Sequence, residues 1–479
     1  MQDKPHIVWL RRDLRLADNP ALTGACASGA PVAIVYIFDE DEPFAPGGAA
    51  KWWLHHSLRA LDEALDDIGA SLTLRRGSAK SVLTDLAAEI GAGAVHWNRR
   101  YAPSQIAVDK EIKETLADRG IETTSYNGAL LREPWELKTG AGGHFKVFTP
   151  FWKNLRAAGP ARAKSEKPPK KISQPKIKPK SDRLESWALT PSNPNWAEEF
   201  PNIWTPGEAG ASEKLDAFLS ADVSRYDDER NRPDLDTTSR LSPHLAFGEV
   251  SPLQVWEKTH SAIDNGARAD SAATFLSEIA WREFSYLLLY HYDGLNSIPI
   301  KPAFESFPWR GDKADLRAWT RGQTGYPIVD AGMRQLWRTG WMHNRVRMIV
   351  ASFLVKHLLL PWQEGEKWFW DTLVDADPAS NAASWQWTAG CGADAAPYFR
   401  IFNPITQGEK FDPDGAYTRL YVPEVSGLPN KYLQKPWDAP EKFTRHAGVT
   451  LGENYPGPLV DHPKARVRAL DAFEHTKKK

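Results

Sequence analysis

The polar residues whose spacing could support chemistry cluster in the second half of this 479-residue chain. In the stretch FLSEIAWREF, Glu278, Trp281, Arg282 and Ser285 stand at i, i+3, i+4 and i+7 and so share one helical face. That face is either an exposed Glu–Arg pair, contributing a few tenths of a kcal/mol, or the lining of a pocket. The flanking residues are too apolar for both sides of the helix to meet water. In GWMHNRVRMIVASFLVKHLL, Asn344, Arg347 and Met348 fall on one face by the same rule, and Arg345 and Arg347 open an apolar helix. An arginine buried there needs an acidic partner, because an unpaired buried charge is very unfavourable. The segment VDADPASNAASWQWTAG supplies Asp375, Asp377 and Asn381. Its carboxylates either form a structural ion pair with Arg347 or also accept bonds from a ligand. In TTSRLSPHLAFGEVSP, the run Thr238, Ser239, Arg240, Leu241 and Ser242 offers hydroxyls, backbone N–H groups and a cation ahead of Pro243. Such a run makes an ordinary helix cap or cradles a pyrophosphate.

Other chemistries lack their parts. There is no H-E-x-x-H and no Cys/His cluster, and the adjacent His55 and His56 point apart on a helix, so no metal site is expected. No G-x-G-x-x-G follows the first strand, no G-K-[ST] occurs, and no G-x-S-x-G nucleophile elbow appears. The two cysteines, Cys26 and Cys391, cannot make a disulfide framework. A reducing cytoplasm is expected, at the nucleoid if the source is bacterial. The charged N-terminus is not a signal peptide, and no segment approaches the roughly 20 apolar residues of a membrane helix. A net charge of −1 argues neither for nor against nucleic acid, since binding needs only a local basic face. Tryptophan is abundant, 21 residues against 4 Met. These rings either fill a core or, in part, carry electrons and stack on bases and cofactors.

The elements that must position these residues follow from periodicity. His6–Leu10, Val32–Phe38, Leu72–Leu74, Ala94–Trp97 and Ile121–Thr124 read as short strands, with amphipathic segments such as Trp52–Ile68 and Ala79–Ile90 between them. Strands alternating with helices predict a doubly wound parallel α/β domain over 1–133. Residues 134–203 read as an interdomain connector. Its stretch ARAKSEKPPKKISQPKIKPKSDR is rich in Lys and Pro, is expected to be extended and solvated, and is too poor in apolar residues to offset its ordering entropy. It is either a solvated loop or an aid in attracting DNA. From 204 to 479 apolar residues recur at three- and four-residue spacing, which predicts an all-α domain.

Taken in order, RLSPHLAFGEVSP, EIAWREF, TGYPIVDAGMRQLWRTGWMHNRVRM, SWQWTAGCGADAAPYFRIFNP and TQGEKFDPDG resemble the signature blocks of the photolyase/cryptochrome flavoproteins, and VWLRRDLRLADNPAL resembles their opening strand and turn. The resemblance spans nearly the whole chain and is strongest to photolyases of cyclobutane pyrimidine dimers. It implies an α/β antenna domain, a connector and a helical FAD domain.

By that resemblance, FAD is held by Tyr226, by the run Thr238, Ser239, Arg240, Leu241 and Ser242, by Phe275, Glu278 and Arg282, and by the charges of Arg347, Asp375 and Asp377. Asn381 matches the residue facing flavin N5. Arg230, Glu278, Trp281, Asn344, Arg345, Met348 and Trp387 match residues contacting a flipped-out dimer in damaged DNA. Relatives that repair (6-4) photoproducts carry His where this chain has Asn344 and Met348. Moving an oxygen requires a proton donor, so the two non-imidazole residues favour the cyclobutane dimer. Trp385, Trp362 and Trp309 match the family's electron-carrying tryptophan chain. Where relatives hold a folate antenna with an Asn–Glu pair, this chain has Ser104–Gln105. Methenyltetrahydrofolate bound in a somewhat different way is the expected antenna, ahead of a deazaflavin or of no antenna. The expected protein is a monomeric light-driven lyase. The alternative is a cryptochrome-type receptor without repair activity.

Overall fold

The structure, a computed structural model, describes residues 4–395 and 399–477. Three residues of the SWQWTAGCGADAAPYFRIFNP block, 396–398, lie outside the described set. By contacts the chain divides into two compact units. The first comprises Met1–Ser224, Ser239–Asp293 and Val374–Ala379; the second comprises Arg225–Thr238, Gly294–Leu373 and Ser380–Lys479. These limits are not the compositional boundaries at 133 and 203.

The first unit opens with the expected alternation: β1 (His6–Leu10), α1 (Pro20–Ala27), β2 (Val32–Phe38), α2 (Gly48–Asp66), β3 (Leu72–Arg76), α3 (Ala79–Ile90), β4 (Ala94–Asn98), α4 (Pro103–Ala117) and β5 (Glu122–Tyr126). All pairings are parallel and the strand order is β3-β2-β1-β4-β5. Val8 sits between Ile34 of β2 and His96 of β4, which fixes the register of the centre. The central strands β1 and β2 are near-continuous apolar runs because helices cover both faces, whereas the edge strand β5, ETTSY, is polar and has no buried residue. On one face, Trp9, Val35 and Val95 pack with Leu83, Leu86 and Ile90 of α3 and with Ile112 and Leu116 of α4. Asn19 caps α1 by accepting from Leu22 N, with Pro20 at the first helical position. The reversal of strand order between β1 and β4 makes the crevice at their C-terminal ends the usual ligand position for such a sheet.

The connector departs from expectation in two ways. It contains a helix, α5 (Phe148–Ala158), with Phe148, Phe151 and Leu155 buried. Its Lys/Pro stretch has no regular structure, as expected, yet it is fastened to the α/β layers: Val32 N donates to Ser173 O at 2.7 Å, Asp182 N to Leu74 O at 2.8 Å, and Ile172 is buried. Polar and main-chain bonds supply the ordering that apolar content does not, a contribution that composition does not report.

The helical pattern after 204 is also observed. The long helix Ala269–His291 belongs to the first unit and buries Phe275, Leu276, Ile279, Phe284, Leu287 and Leu288. In the second unit, Asn344–Ser352 runs into a π-helical turn, Phe353–His357, followed by Trp362–Thr372. The helix Pro378–Ala389 has its first two residues in the first unit and the rest in the second. No described helix is long and apolar enough to cross a membrane. Among the described residues no group of three His, Cys, Asp or Glu could hold a metal ion.

Candidate active site

In the first unit the shared face of the helix Ala269–His291 is real, and residues the sequence did not single out complete it. Phe148 of α5 stacks on Trp281 with ring centroids 3.7 Å apart and planes 7° from parallel. One face of Trp281 is thereby occupied by protein and the indole plane is held fixed. Arg282 donates to Ala129 O at 2.8 Å and lies over the Tyr286 ring at 4.7 Å. Although burial opposes its charge, Tyr286 and Asp377 hold its pKa above the ordinary arginine value. Tyr286 in turn donates its hydroxyl proton to Asp377 Oδ2 at 2.6 Å, and Ala379 N donates to Asp377 Oδ1 at 3.0 Å. Asp377 is thus engaged by Tyr286, which stands one helical turn after Arg282; that i+4 position was the available signal. Ser285 is turned inward and donates to Trp281 O. Phe275 is buried against Phe218 at 4.6 Å.

The run before Pro243 is a strained loop. Arg240 has φ of 48°, the left-handed region that a side chain with Cβ disfavours. Leu241 N donates to Ser239 Oγ at 3.4 Å, and Ser242 starts a helix of only six residues. At the crevice between β1 and β4, Arg11 lies over Trp9 at 4.2 Å and Arg100 at 5.5 Å, both guanidiniums bonding Asp109. Trp9 Nε1, Arg11 Nε and Arg100 Nε are buried there without hydrogen-bond partners. Gln105 is buried and donates to Pro43 O at 3.3 Å, whereas Ser104 is exposed.

In the second unit, Thr237 Oγ1 is buried with no partner among the described residues. Tyr226 is buried and Arg230 lies over its ring at 5.4 Å. His343 caps the helix Asn344–Ser352 through Nδ1, which accepts from Arg345 N at 3.2 Å. Asn344 is exposed at the helix start, and Met348 follows one turn later, half-buried. Arg345 donates from Nε and Nη2 to Asn231 Oδ1 at 3.1 and 2.7 Å and covers Phe411 at 4.5 Å. Arg347 donates to Met342 O at 2.7 Å. An amide and a carbonyl therefore share in satisfying guanidiniums for which the sequence suggested carboxylates. Trp387 donates to Asp394 O at 3.2 Å and lines an open cavity together with Lys301, Lys356 and Arg400.

Asn381 donates from Nδ2 to Glu366 O at 3.0 Å and to Glu366 Oε1 at 2.9 Å. Burial pushes the Glu366 carboxyl up to about 7. Trp385 is buried against Phe369 at 5.0 Å and Trp319 at 6.2 Å. Trp362 opens the helix Trp362–Thr372 and is buried; in the same helix Gly365 lies so close to Trp385 that an added Cβ would fall 2.1 Å from its ring. Trp309 is half-buried and packs on Phe307 at 4.2 Å. Glu366, Phe369 and Trp319 were not found from sequence, because no spacing rule links them to Asn381 or Trp385.

The chain matches the family model of DNA photolyase over residues 6–172 and that of the FAD binding domain of DNA photolyase over 275–475. It is 53% identical to the deoxyribodipyrimidine photo-lyase of Agrobacterium fabrum, covering 100% of this chain and 99% of that one. The chain belongs to the DNA photolyase/cryptochrome family. A crystal structure of a bacterial class III photolyase from Agrobacterium tumefaciens superposes with a TM-score of 0.97 at 52% identity, covering 100% of this chain and 99% of that one. Cryptochrome-1 of Arabidopsis thaliana is 39% identical over 98% of this chain and 70% of its own length. For a photolyase-type FAD domain, the residues present fit the cofactor. Thr237 Oγ1 is buried with no partner among the described residues, and Asn381 commits its Nδ2 to Glu366, which leaves Oδ1 as the side chain's acceptor.

Proposed function

We propose that this chain is a deoxyribodipyrimidine photo-lyase that repairs cyclobutane pyrimidine dimers in DNA with light. The observation that carries the lesion assignment is the helix start at Asn344. Asn344 and Met348 stand one turn apart, and the neighbouring imidazole, His343, is buried with Nδ1 used as a helix cap. The face thus offers an amide and a thioether where migration of an oxygen would call for a proton donor. Opening a cyclobutane needs only an electron.

By family resemblance, FAD is held by Tyr226, Thr238, Ser239, Arg240, Leu241, Ser242, Phe275, Glu278, Arg282, Arg347, Asp375, Asp377 and Asn381. When bound and reduced it supplies, on absorbing light, the electron that opens the dimer and is afterwards returned. The chain's own residues prepare this chemistry. Asn381 presents Oδ1 as an acceptor for a proton on flavin N5, because Nδ2 is committed to Glu366. Arg282, Tyr286 and Asp377 form one buried hydrogen-bonded and charged set. Trp281, braced by Phe148, and Trp387 offer flat faces to the bases, Glu278 accepts from their polar edges, and Arg230 and Arg345 hold flanking phosphates. Trp385, Trp362 and Trp309 carry an electron inward to oxidised cofactor.

For the antenna we favour methenyltetrahydrofolate over a deazaflavin. The crevice where a flat pigment would lie deep in the α/β layers is filled by Trp9, Arg11 and Arg100. A cryptochrome-type receptor is the second reading, favoured by the likeness to Arabidopsis cryptochrome-1. The test is illumination of reduced protein with two oligonucleotides, one carrying a cyclobutane dimer and one a (6-4) photoproduct. Repair of the first alone supports the proposal. Repair of the second overturns the lesion assignment, and repair of neither moves the assignment to the receptor.

A further inference from the structure

The Lys/Pro strap between Ala161 and Arg183 is not used by the site described above. It holds seven lysines, Lys164, Lys167, Lys170, Lys171, Lys176, Lys178 and Lys180, against two acids, Glu166 and Asp182. All seven side chains are exposed, and none makes an ion pair among the described residues. Outside the strap, some surface lysines do meet carboxylates: Lys80 meets Glu111, Lys258 meets Asp216 and Lys435 meets Glu409.

The strap is nevertheless fixed. Arg162 is paired with buried Asp18 at 2.6 Å, Ser165 N donates to Glu257 at 2.9 Å, and Lys180 N to Glu89 at 2.7 Å. Leu74 N donates to Ser181 Oγ at 2.9 Å, and Val32 N to Ser173 O at 2.7 Å. Four prolines, Pro168, Pro169, Pro175 and Pro179, keep it extended. Main chain, hydroxyls and the Arg162 guanidinium do the anchoring, and the lysine charges are held out together despite their repulsion.

We infer that this strap is a second DNA contact, independent of lesion and sequence, that binds duplex phosphates and adds to the affinity of the repair site. The inference rests on the DNA reading above and extends it to a surface outside that site. Lysine is a point charge suited to phosphate and unsuited to base readout. The strap contains no Trp, Tyr, Phe or His to stack on unpaired bases. Its two isoleucines are one buried, Ile172, and one exposed, Ile177, which makes no apolar face for a lipid surface.

The experiment compares the full-length protein with a Lys167→Gln, Lys170→Gln, Lys171→Gln, Lys176→Gln variant and with the same four positions changed to Arg. Binding to a long undamaged duplex is followed by anisotropy between about 50 and 200 mM salt, and repair of a short dimer-containing oligonucleotide is measured at saturation. Each lost phosphate contact lowers the slope of log K against log salt by about 0.9. The Gln variant is expected to lose up to about 3.6 of that slope and at least about tenfold in affinity at the lower salt. The Arg variant keeps both, and saturated repair is the same in all three. An unchanged slope in the Gln variant overturns the inference, and so does lysine-dependent sedimentation with phosphatidylserine vesicles beside an unchanged DNA slope. A changed slope with no repair in any protein leaves this contact standing and removes the repair reading instead.

Discussion

Asn381 gives Nδ2 to two oxygens of one residue, Glu366 O at 3.0 Å and Glu366 Oε1 at 2.9 Å. A main-chain carbonyl only accepts, so the amide cannot be flipped without losing that bond. The consequence is an oriented acceptor at Oδ1 where the family places flavin N5. Glu366→Ala is therefore expected to retain FAD while slowing photoreduction severalfold, and Glu366→Gln is expected to restore much of the rate. Loss of FAD from both variants would show that Glu366 serves packing and not orientation.

Glu366 also predicts a pH effect. Burial raises its carboxyl to about 7, so it is neutral below that pH and ionised above it. A negative charge arising beside a cofactor that is anionic when reduced opposes reduction. The midpoint potential should fall as pH rises through about 7, beyond the ordinary proton-coupled slope, and Glu366→Gln should remove the extra step. Spectroelectrochemical titration of both proteins checks this.

The contact of Gly365 with Trp385 predicts sensitivity to a single methyl. An alanine Cβ would lie 2.1 Å from the indole, so the ring or the helix Trp362–Thr372 must shift. Overpacking of this kind costs about 1–3 kcal/mol. Gly365→Ala should lower the melting temperature and slow photoreduction of oxidised flavin. Trp362→Phe should block that photoreduction while repair by pre-reduced protein survives; loss of both would assign Trp362 to packing.

Phe148 braces Trp281 at 3.7 Å. Removing one ring of a stacked pair forfeits about 0.5–1.5 kcal/mol beyond buried area. Phe148→Ala should weaken binding of a dimer-containing oligonucleotide by about tenfold with FAD content unchanged. Equal binding by wild type and variant would separate Trp281 from the substrate.

Lys356 predicts how stability varies with pH. Burial lowers its ammonium from 10.5 to about 7, so between those values the unfolded chain binds more protons than the folded one. Its contribution therefore raises stability as pH climbs from about 7 towards 10.5. Lys356→Met should flatten the rise in melting temperature across that window and stabilise the protein at pH 7. A wild-type profile already flat there would contradict the burial of this ammonium, which has Arg400 O at 3.4 Å and the Phe399 ring to offset it.

Much of this was legible in the sequence, for identifiable reasons. The strands at His6–Leu10 and Val32–Phe38 and the helix Ala79–Ile90 were read with the limits the structure shows, because apolar runs and spacing determine them locally. The shared face of Glu278, Trp281, Arg282 and Ser285 followed from the 3.6-residue period. Partners brought in by tertiary packing were not legible: Phe148 against Trp281, Glu366 beneath Asn381, and Trp319 and Phe369 against Trp385 lie far apart in sequence or obey no spacing rule. The connector's extended, solvated character was legible, but its fastening was not, because it comes from main-chain bonds such as Val32 N to Ser173 O, which composition does not report.

The most direct test of the central claim is an absorption spectrum of the purified protein followed by anaerobic illumination with a cyclobutane-dimer oligonucleotide. Flavin bands together with recovery of thymine absorbance, and no net change in flavin redox state, are the predicted result. Flavin bands without recovery of thymine absorbance would contradict repair, and a spectrum lacking flavin would contradict the cofactor on which the account depends.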